Sequence, residues 1–273
     1  MLKQRIISAL VMVPLVIAGV LLLDQTAFAL LVALGLLAGA WEWSALVPVR
    51  DTATRALYLA ATAAATAAAW LFAGSDQFVN VLLWSAVIWW LFVLFWVSRP
   101  ALGSVENTLH RAAKALLGIG MLVSTWLALV VLHGRPDQGP HWVLYLLMLV
   151  WAADSGAYFA GKAFGRHKLA PDVSPGKTWE GVYGALAATA LMALGYAWFL
   201  DLRAASFTSF VLVCLVTVMF SIVGDLLESL LKRQRGLKDS GTLIPGHGGV
   251  LDRTDSLLAA APVFLFGMRW TGI

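Results

Sequence analysis

The chain has 273 residues, 60% of them hydrophobic and only 12% charged, with a formal net charge of +4 and a mean hydropathy of +0.82. Soluble domains carry about 25% charged residues, and a chain with half that share cannot cover a water-facing surface. The single cysteine, Cys214, excludes a disulfide framework within the chain. A basic balance in so apolar a chain reflects topology and anionic lipid rather than nucleic acid.

A membrane-crossing helix needs about 20 apolar residues. Nine such stretches are expected in chain order, at 6–23, 26–47, 55–73, 78–97, 112–132, 141–160, 181–200, 206–228 and 250–270. The connections hold charges and helix breakers: Asp24-Gln25, Pro48-Val49-Arg50-Asp51, Gly74-Ser75-Asp76, Arg99-Pro100 and Arg135-Pro136-Asp137. The first stretch has a basic start, Lys3 and Arg5, but its apolar run is longer than the 7–15 residues of a secretory signal and reads as a retained span. The third is mostly Ala and Thr, small residues that let helices approach closely. The expected fold is all-α: a polytopic integral membrane protein of about nine transmembrane helices. Residues 1–110 form its N-terminal helices. Residues 111–273 carry the chemistry, with cytoplasmic loops at 161–180 and 229–250.

Charge tests this layout. With the N-terminus in the cytoplasm, 16 Lys and Arg fall on the cytoplasmic side and only Arg135, Arg203 and Arg269 on the other. That split obeys the positive-inside rule at every loop and leaves the C-terminus external. Both large charged clusters fall on the cytoplasmic side.

The first cluster follows the sixth stretch. Asp154 comes late in that span, and a carboxylate there faces the bundle interior and pairs with a metal or a cation. Ser174-Pro175-Gly176-Lys177-Thr178 resembles the end of a Walker loop, but Pro171 stands where that motif needs glycine. No β-strand is expected before it, so a P-loop NTPase is excluded. The parts keep their chemistry. Gly176 lets backbone N–H groups approach an anion, Lys177 is a point charge for phosphate, and Thr178 caps the seventh helix. Glu180 lies in that helix's first turn, where its charge complements the dipole.

The second cluster, Ser229 to Asp255, joins five cations to a histidine and five glycines. Asp225 and Glu228 are three residues apart on one helix face, as are Asp252 and Asp255. If the loop between them folds back, the four carboxylates converge. Hard oxygen donors without a cysteine pattern favour Mg²⁺, which shares its shell with substrate phosphates. Asp225 and Asp252 are the leading metal ligands, with Asp154 and Glu228 beside them. Lys232, Arg233, Lys238, Arg253 and Ser174 are candidates to hold phosphate, and His247 to donate to one. Such a site suits transfer between two anionic substrates at the cytosolic face. Glu42, near the end of the second span, either lines a lipid entrance or pairs with a basic residue; the sequence leaves both open.

The run Ser229-x-Leu231-Lys232-Arg233-x4-Lys238-Asp239-x-Gly241-x2-Ile244-Pro245-x-His247-Gly248-Gly249-Val250-x-Asp252-Arg253-Thr254-Asp255 resembles the C-terminal pattern of the phosphatidate cytidylyltransferase (CDP-diacylglycerol synthase) family. Ser174-Pro175-x-Lys177-Thr178-x-Glu180-Gly181 and Trp41-Glu42-Trp43 resemble weaker features of it. The resemblance implies transfer of cytidylyl from CTP to phosphatidate in phospholipid biosynthesis. It further implies Mg²⁺ together with a monovalent cation such as K⁺, a homodimer, and a bacterial inner-membrane location with the site facing the cytoplasm. By the match, Asp225 and Asp252 are metal-site residues, while Lys177, Lys232, Arg233, Lys238, His247 and Arg253 neutralise phosphate. The rival readings are a transporter of an anionic solute and a related CTP-dependent polyprenol or lipid enzyme. Charges at one face rather than at the midplane, without inverted repeats, count against the transporter.

Overall fold

The computed structural model describes residues 2–47, 49, 51–105, 107–244 and 248–273, with side chains from residue 10 onward. Among the described residues the order is α1 (Leu2–Leu22), α2 (Gln25–Leu46), α3 (Thr52–Phe72), α4 (Asp76–Val97), α5 (Thr108–His133), α6 (Gly139–Phe164), β1 (Lys168–Ala170), β2 (Ser174–Thr178), α7 (Trp179–Phe199), α8 (Ala204–Gln234) and α9 (Leu251–Thr271).

The helices start where the chain offers caps. Asp24 accepts the Ala27 N–H at 2.9 Å, Asp51 the Thr54 N–H at 2.7 Å, and Asn107 the His110 N–H at 2.7 Å. Each such cap contributes about 1 kcal/mol. The Thr54 N–H also holds the Asp51 carboxyl below its ordinary pKa.

Among the described residues seven helices, α2 through α8, are long and apolar enough to cross a membrane, so the fold is that of a polytopic membrane protein. The expected first and ninth stretches are helical too. Within the described side chains of α1 the apolar run is Leu10–Leu22, while α9 is less apolar because it carries Asp252, Arg253, Asp255 and Arg269.

One element departs from expectation. No strand was expected beside Ser174, yet β1 and β2 form an antiparallel hairpin with Lys168 opposite Thr178 and Ala170 opposite Ser174. Its turn has Pro171 in second place and is closed by the Val173 N–H to the Ala170 carbonyl at 3.2 Å, a position where proline's fixed φ is favoured. Pro175 and Gly176 keep the return strand from joining the helix that follows.

The core centres on α5, which packs against α2, α3, α4, α6 and α9. Buried Trp43 of α2 donates its indole N–H to the Lys114 carbonyl of α5 at 2.9 Å, which sets the rotation of α2 and with it the direction of Glu42. Glycines bring two helix pairs close. A Cβ on Gly156 of α6 would come 2.6 Å from the Gly184 carbonyl oxygen of α7, and one on Gly224 of α8 would come 2.5 Å from the Asp255 carbonyl oxygen of α9. The second contact places the acidic turns of α8 and α9 side by side. At 31 residues, α8 is about 46 Å long, longer than a hydrocarbon core of about 30 Å. Its last turns therefore carry Glu228 and Lys232 toward the polar loops.

Candidate active site

Three groups of charged side chains meet where α6, β2, α8 and α9 converge. In the first, Lys177 at the end of β2 pairs with Asp225 of α8, Nζ to Oδ2 at 2.7 Å, both partly exposed. Lys177 and Asp225 line a cavity of about 470 Å³ with Asp154 of α6, Gly176, Thr178 and Ser256. That volume is in the usual range of small-ligand pockets, about 300–1,000 Å³. Thr178 caps α7 as expected, accepting the Gly181 N–H at 3.2 Å.

In the second group, Lys232 bridges two carboxylates. Its Nζ lies 2.9 Å from Glu228 Oε2 and 2.7 Å from Asp252 Oδ1. Glu228 and Asp252 are almost fully buried, at 1% and 6% side-chain exposure, so losing Lys232 would leave buried charge uncompensated, which costs far more than losing a surface ion pair. Asp255 links the groups, acting electrostatically on both Asp225 and Glu228. Arg253, on the exposed side of the same helical turn, acts on Asp154.

The third group is the loop between α8 and α9, which does fold back. Asp252 Oδ2 accepts the Ser240 N–H at 2.9 Å, the Ser240 hydroxyl at 3.0 Å and the Gly249 N–H at 2.8 Å. Glu42 of α2 completes it, accepting the Val250 N–H at 3.0 Å and the Leu251 N–H at 2.8 Å, with the Ser240 hydroxyl 3.2 Å from its Oε2. Glu42 is 3% exposed. It neither lines an entrance nor pairs with a basic side chain in these contacts; it takes backbone donors at the start of α9, where the helix dipole also favours an anion. A Cβ on Gly249 or Gly241 would overlap the Glu42 carboxylate, so both glycines are required by that close approach. Gly248 adopts φ +86°, which favours glycine.

The predicted residues thus fall into several places. Asp154, Lys177 and Asp225 share the cavity, and Glu228, Lys232 and Asp252 stand beside it. Ser174 is half-buried at the opposite end of β2 from Lys177. Arg233 donates to the Leu237 carbonyl at 3.2 Å and closes the turn after α8, while Lys238 is exposed on the loop. His247 lies outside the described residues. Glu180 does more than complement a dipole. It accepts the Arg166 and His167 N–H groups at 3.1 and 3.2 Å and contacts His167 Nδ1 at 2.7 Å, tying the end of α6 to the start of α7.

Among the described residues, no three His, Cys, Asp or Glu side chains are grouped to hold a metal ion by themselves. The donor set nevertheless suits Mg²⁺, which takes one or two carboxylates and completes its shell with water and phosphate. Buried Glu228 Oε1 has no hydrogen-bond partner, and the Asp225 oxygens reach the cavity.

The profile of the Cytidylyltransferase family matches residues 3–270. The chain belongs to that family. Among curated cytidylyltransferase relatives, the phosphatidate cytidylyltransferase of Pseudomonas aeruginosa is 42% identical over 265 residues, covering 97% of this chain and 96% of its own length. The protein of the same name from Haemophilus influenzae is 39% identical, covering 97% and 98%. That of Staphylococcus saprophyticus is 34% identical over 69% and 70%. In this family member, Ser240 is the site residue that sequence reasoning missed. A serine among many polar loop residues carries no signal of its own.

Proposed function

We propose that the protein transfers the cytidylyl group of CTP to phosphatidate, forming CDP-diacylglycerol and pyrophosphate. The observation that carries this reading is the Lys177–Asp225 pair on the wall of a cavity that Asp154 also lines, in a chain matched over nearly its whole length by relatives bearing the name phosphatidate cytidylyltransferase.

A phosphate oxygen of phosphatidate attacks the α-phosphorus of CTP. The new P–O bond forms as the bond from that phosphorus to the α–β bridging oxygen breaks, and pyrophosphate leaves with the electron pair. The attacking phosphomonoester has a second pKa of about 6, so near neutral pH it needs no strong base. The chain's task is to bring two anions together and hold them in line. Lys177 and Lys232 come ready-oriented by their carboxylate partners and offer ammonium charge to phosphate. Arg253 binds the phosphate of the lipid. Ser174, Arg233, Lys238 and His247 extend the phosphate-binding surface toward the loops. Mg²⁺, when bound, neutralises phosphate charge and orients the triphosphate. The residues that would hold it are Asp225 and Asp252, with Asp154 and Glu228 beside them, and a monovalent cation such as K⁺ is expected at the same acidic cluster.

The site faces the cytoplasm of a bacterial inner membrane in this reading, with the N-terminus inside, the C-terminus outside and nine spans. The 16-to-3 division of Lys and Arg supports it. The protein works as a homodimer. The deciding experiment incubates purified protein in detergent with phosphatidate, labelled CTP and Mg²⁺. CDP-diacylglycerol and pyrophosphate are expected; a folded protein that makes neither under any metal condition refutes the reading.

A further inference from the structure

The cavity lined by Asp154, Lys177 and Asp225 has a neighbour without carboxylates in its lining. A groove of about 430 Å³ opens between α1, α2, α5, α6 and α9. Its α2 wall uses positions 28, 31, 32, 35, 36 and 39, a single helix face. From Phe28 to Gly39 that wall is about 16 Å deep, half of a hydrocarbon core of about 30 Å and so the depth of one leaflet. The polar groups of its α5 wall are already used: the Thr125 hydroxyl lies 2.8 and 2.9 Å from the Met121 and Leu258 carbonyls, and the Trp126 indole donates to the Ala29 carbonyl at 2.9 Å.

Among the described residues lining the groove, charge stands at one end. Arg253 and Thr254 line it there, at the first turn of α9, and Arg253 acts on Asp154 in the neighbouring cavity. The two spaces share walls. On α6, Trp151 lines the groove and Asp154, one turn on, lines the cavity; on α9, Leu257 lines the groove and its neighbour Ser256 the cavity. Midway down, a Cβ on Gly35 would meet nothing within 4 Å, so the groove is open at that level rather than filled by a neighbouring side chain.

We propose that this groove is the acyl-chain subsite, holding a fatty acyl chain of phosphatidate along α2 while Arg253 meets the phosphate at its mouth. The inference rests on the proposed function. It follows from a cation, Arg253, at one end of a leaflet-deep apolar slot, opening beside the cavity that Lys177 and Asp225 line. A packed helix of a second copy would use the length of the groove but not its single charged end.

The test replaces Gly35 with phenylalanine, filling space that nothing else occupies. With full-length protein in detergent, Gly35→Phe should raise the KM for dipalmitoyl phosphatidate about tenfold, the worth of roughly two excluded methylenes. The KM for CTP and that for dihexanoyl phosphatidate should stay as in the parent, and Gly35→Ala should change none of them. No effect on the long-chain lipid, or an equal effect on both lipids, overturns the subsite. So does an equal effect accompanied by loss of the dimer, which would make the groove an interface between copies. A second readout needs no turnover: phosphatidate with a diazirine midway along one chain should label the parent protein within residues 28–36, and labelling confined to other helices overturns the proposal. Labelling there without any CDP-diacylglycerol would refute the proposed reaction but not the groove.

Discussion

The Glu42 carboxylate accepts the Leu251 N–H at 2.8 Å across 209 residues of sequence. This contact and its neighbour at Val250 tie the second helix to the start of the ninth, and so place Asp252 one residue further on. Removing the acceptor leaves buried donors unpaired, each costing about 1–3 kcal/mol. Glu42→Ala is therefore expected to lower stability by about 3 kcal/mol and abolish turnover. Glu42→Gln should recover little, because its amide nitrogen faces donors. Thermal unfolding in detergent and limited proteolysis between Gly236 and Val250 read this directly; an unchanged melting temperature in Glu42→Ala would mean the loop is held by other contacts.

Lys177 is half free to leave Asp225, with side-chain exposures of 24% and 32%. Its loss should cost catalysis more than folding. Lys177→Ala is expected to reduce kcat about 10²–10³-fold, the usual effect of losing one group that stabilises developing charge, while the melting temperature moves little. Lys177→Arg should restore part of the rate. A Lys177→Ala enzyme with parental kcat removes this residue from the reaction.

The Lys232 bridge makes the opposite prediction. Its partners are buried, and removing one member of a buried pair costs about 3–5 kcal/mol. Lys232→Met should unfold the protein readily, and adding Glu228→Gln should return part of the loss. The coupling in this double-mutant cycle is expected at about 1 kcal/mol or more; additive effects would show that the two side chains do not share a charge.

Glycine substitutions separate steric need from flexibility. Gly249→Ala forces a Cβ into the Glu42 carboxylate and should cost about 1–3 kcal/mol, as overpacking does. Gly120→Ala on α5, where a Cβ meets nothing within 4 Å, should be neutral or slightly stabilising through helix propensity. Equal melting temperatures for the two variants would contradict the packing described around Glu42.

Helix placement was legible because it depends on local sums. Apolar runs separated by Asp24, Asp51 or Arg99-Pro100 end where backbone groups must meet water or a cap, and all nine expected stretches overlap observed helices. Two features escaped that logic. The β1–β2 hairpin depends on a single Pro171 turn and on the docking of its return strand, and its five-residue second strand is too short to show a period. The apolarity of α9 is diluted by the charges that serve the site, so function lowers the very signal that marks a span.

By itself, then, the sequence determined a polytopic helical membrane protein whose cations gather at one face, and its Ser229–Asp255 pattern pointed to the family. Composition and periodicity suffice for that, because the bilayer demands apolar runs of one length and places charge at their ends. Only the tertiary structure decided which charges are partners. Lys177 with Asp225, Lys232 with Asp252, and Glu42 with the backbone of α9 join distant segments at 2.7–3.0 Å. Such pairings depend on helix rotation, set here by Trp43 against α5 and by Gly224 against α9, and rotation is fixed by packing across the whole bundle rather than by any one stretch of chain.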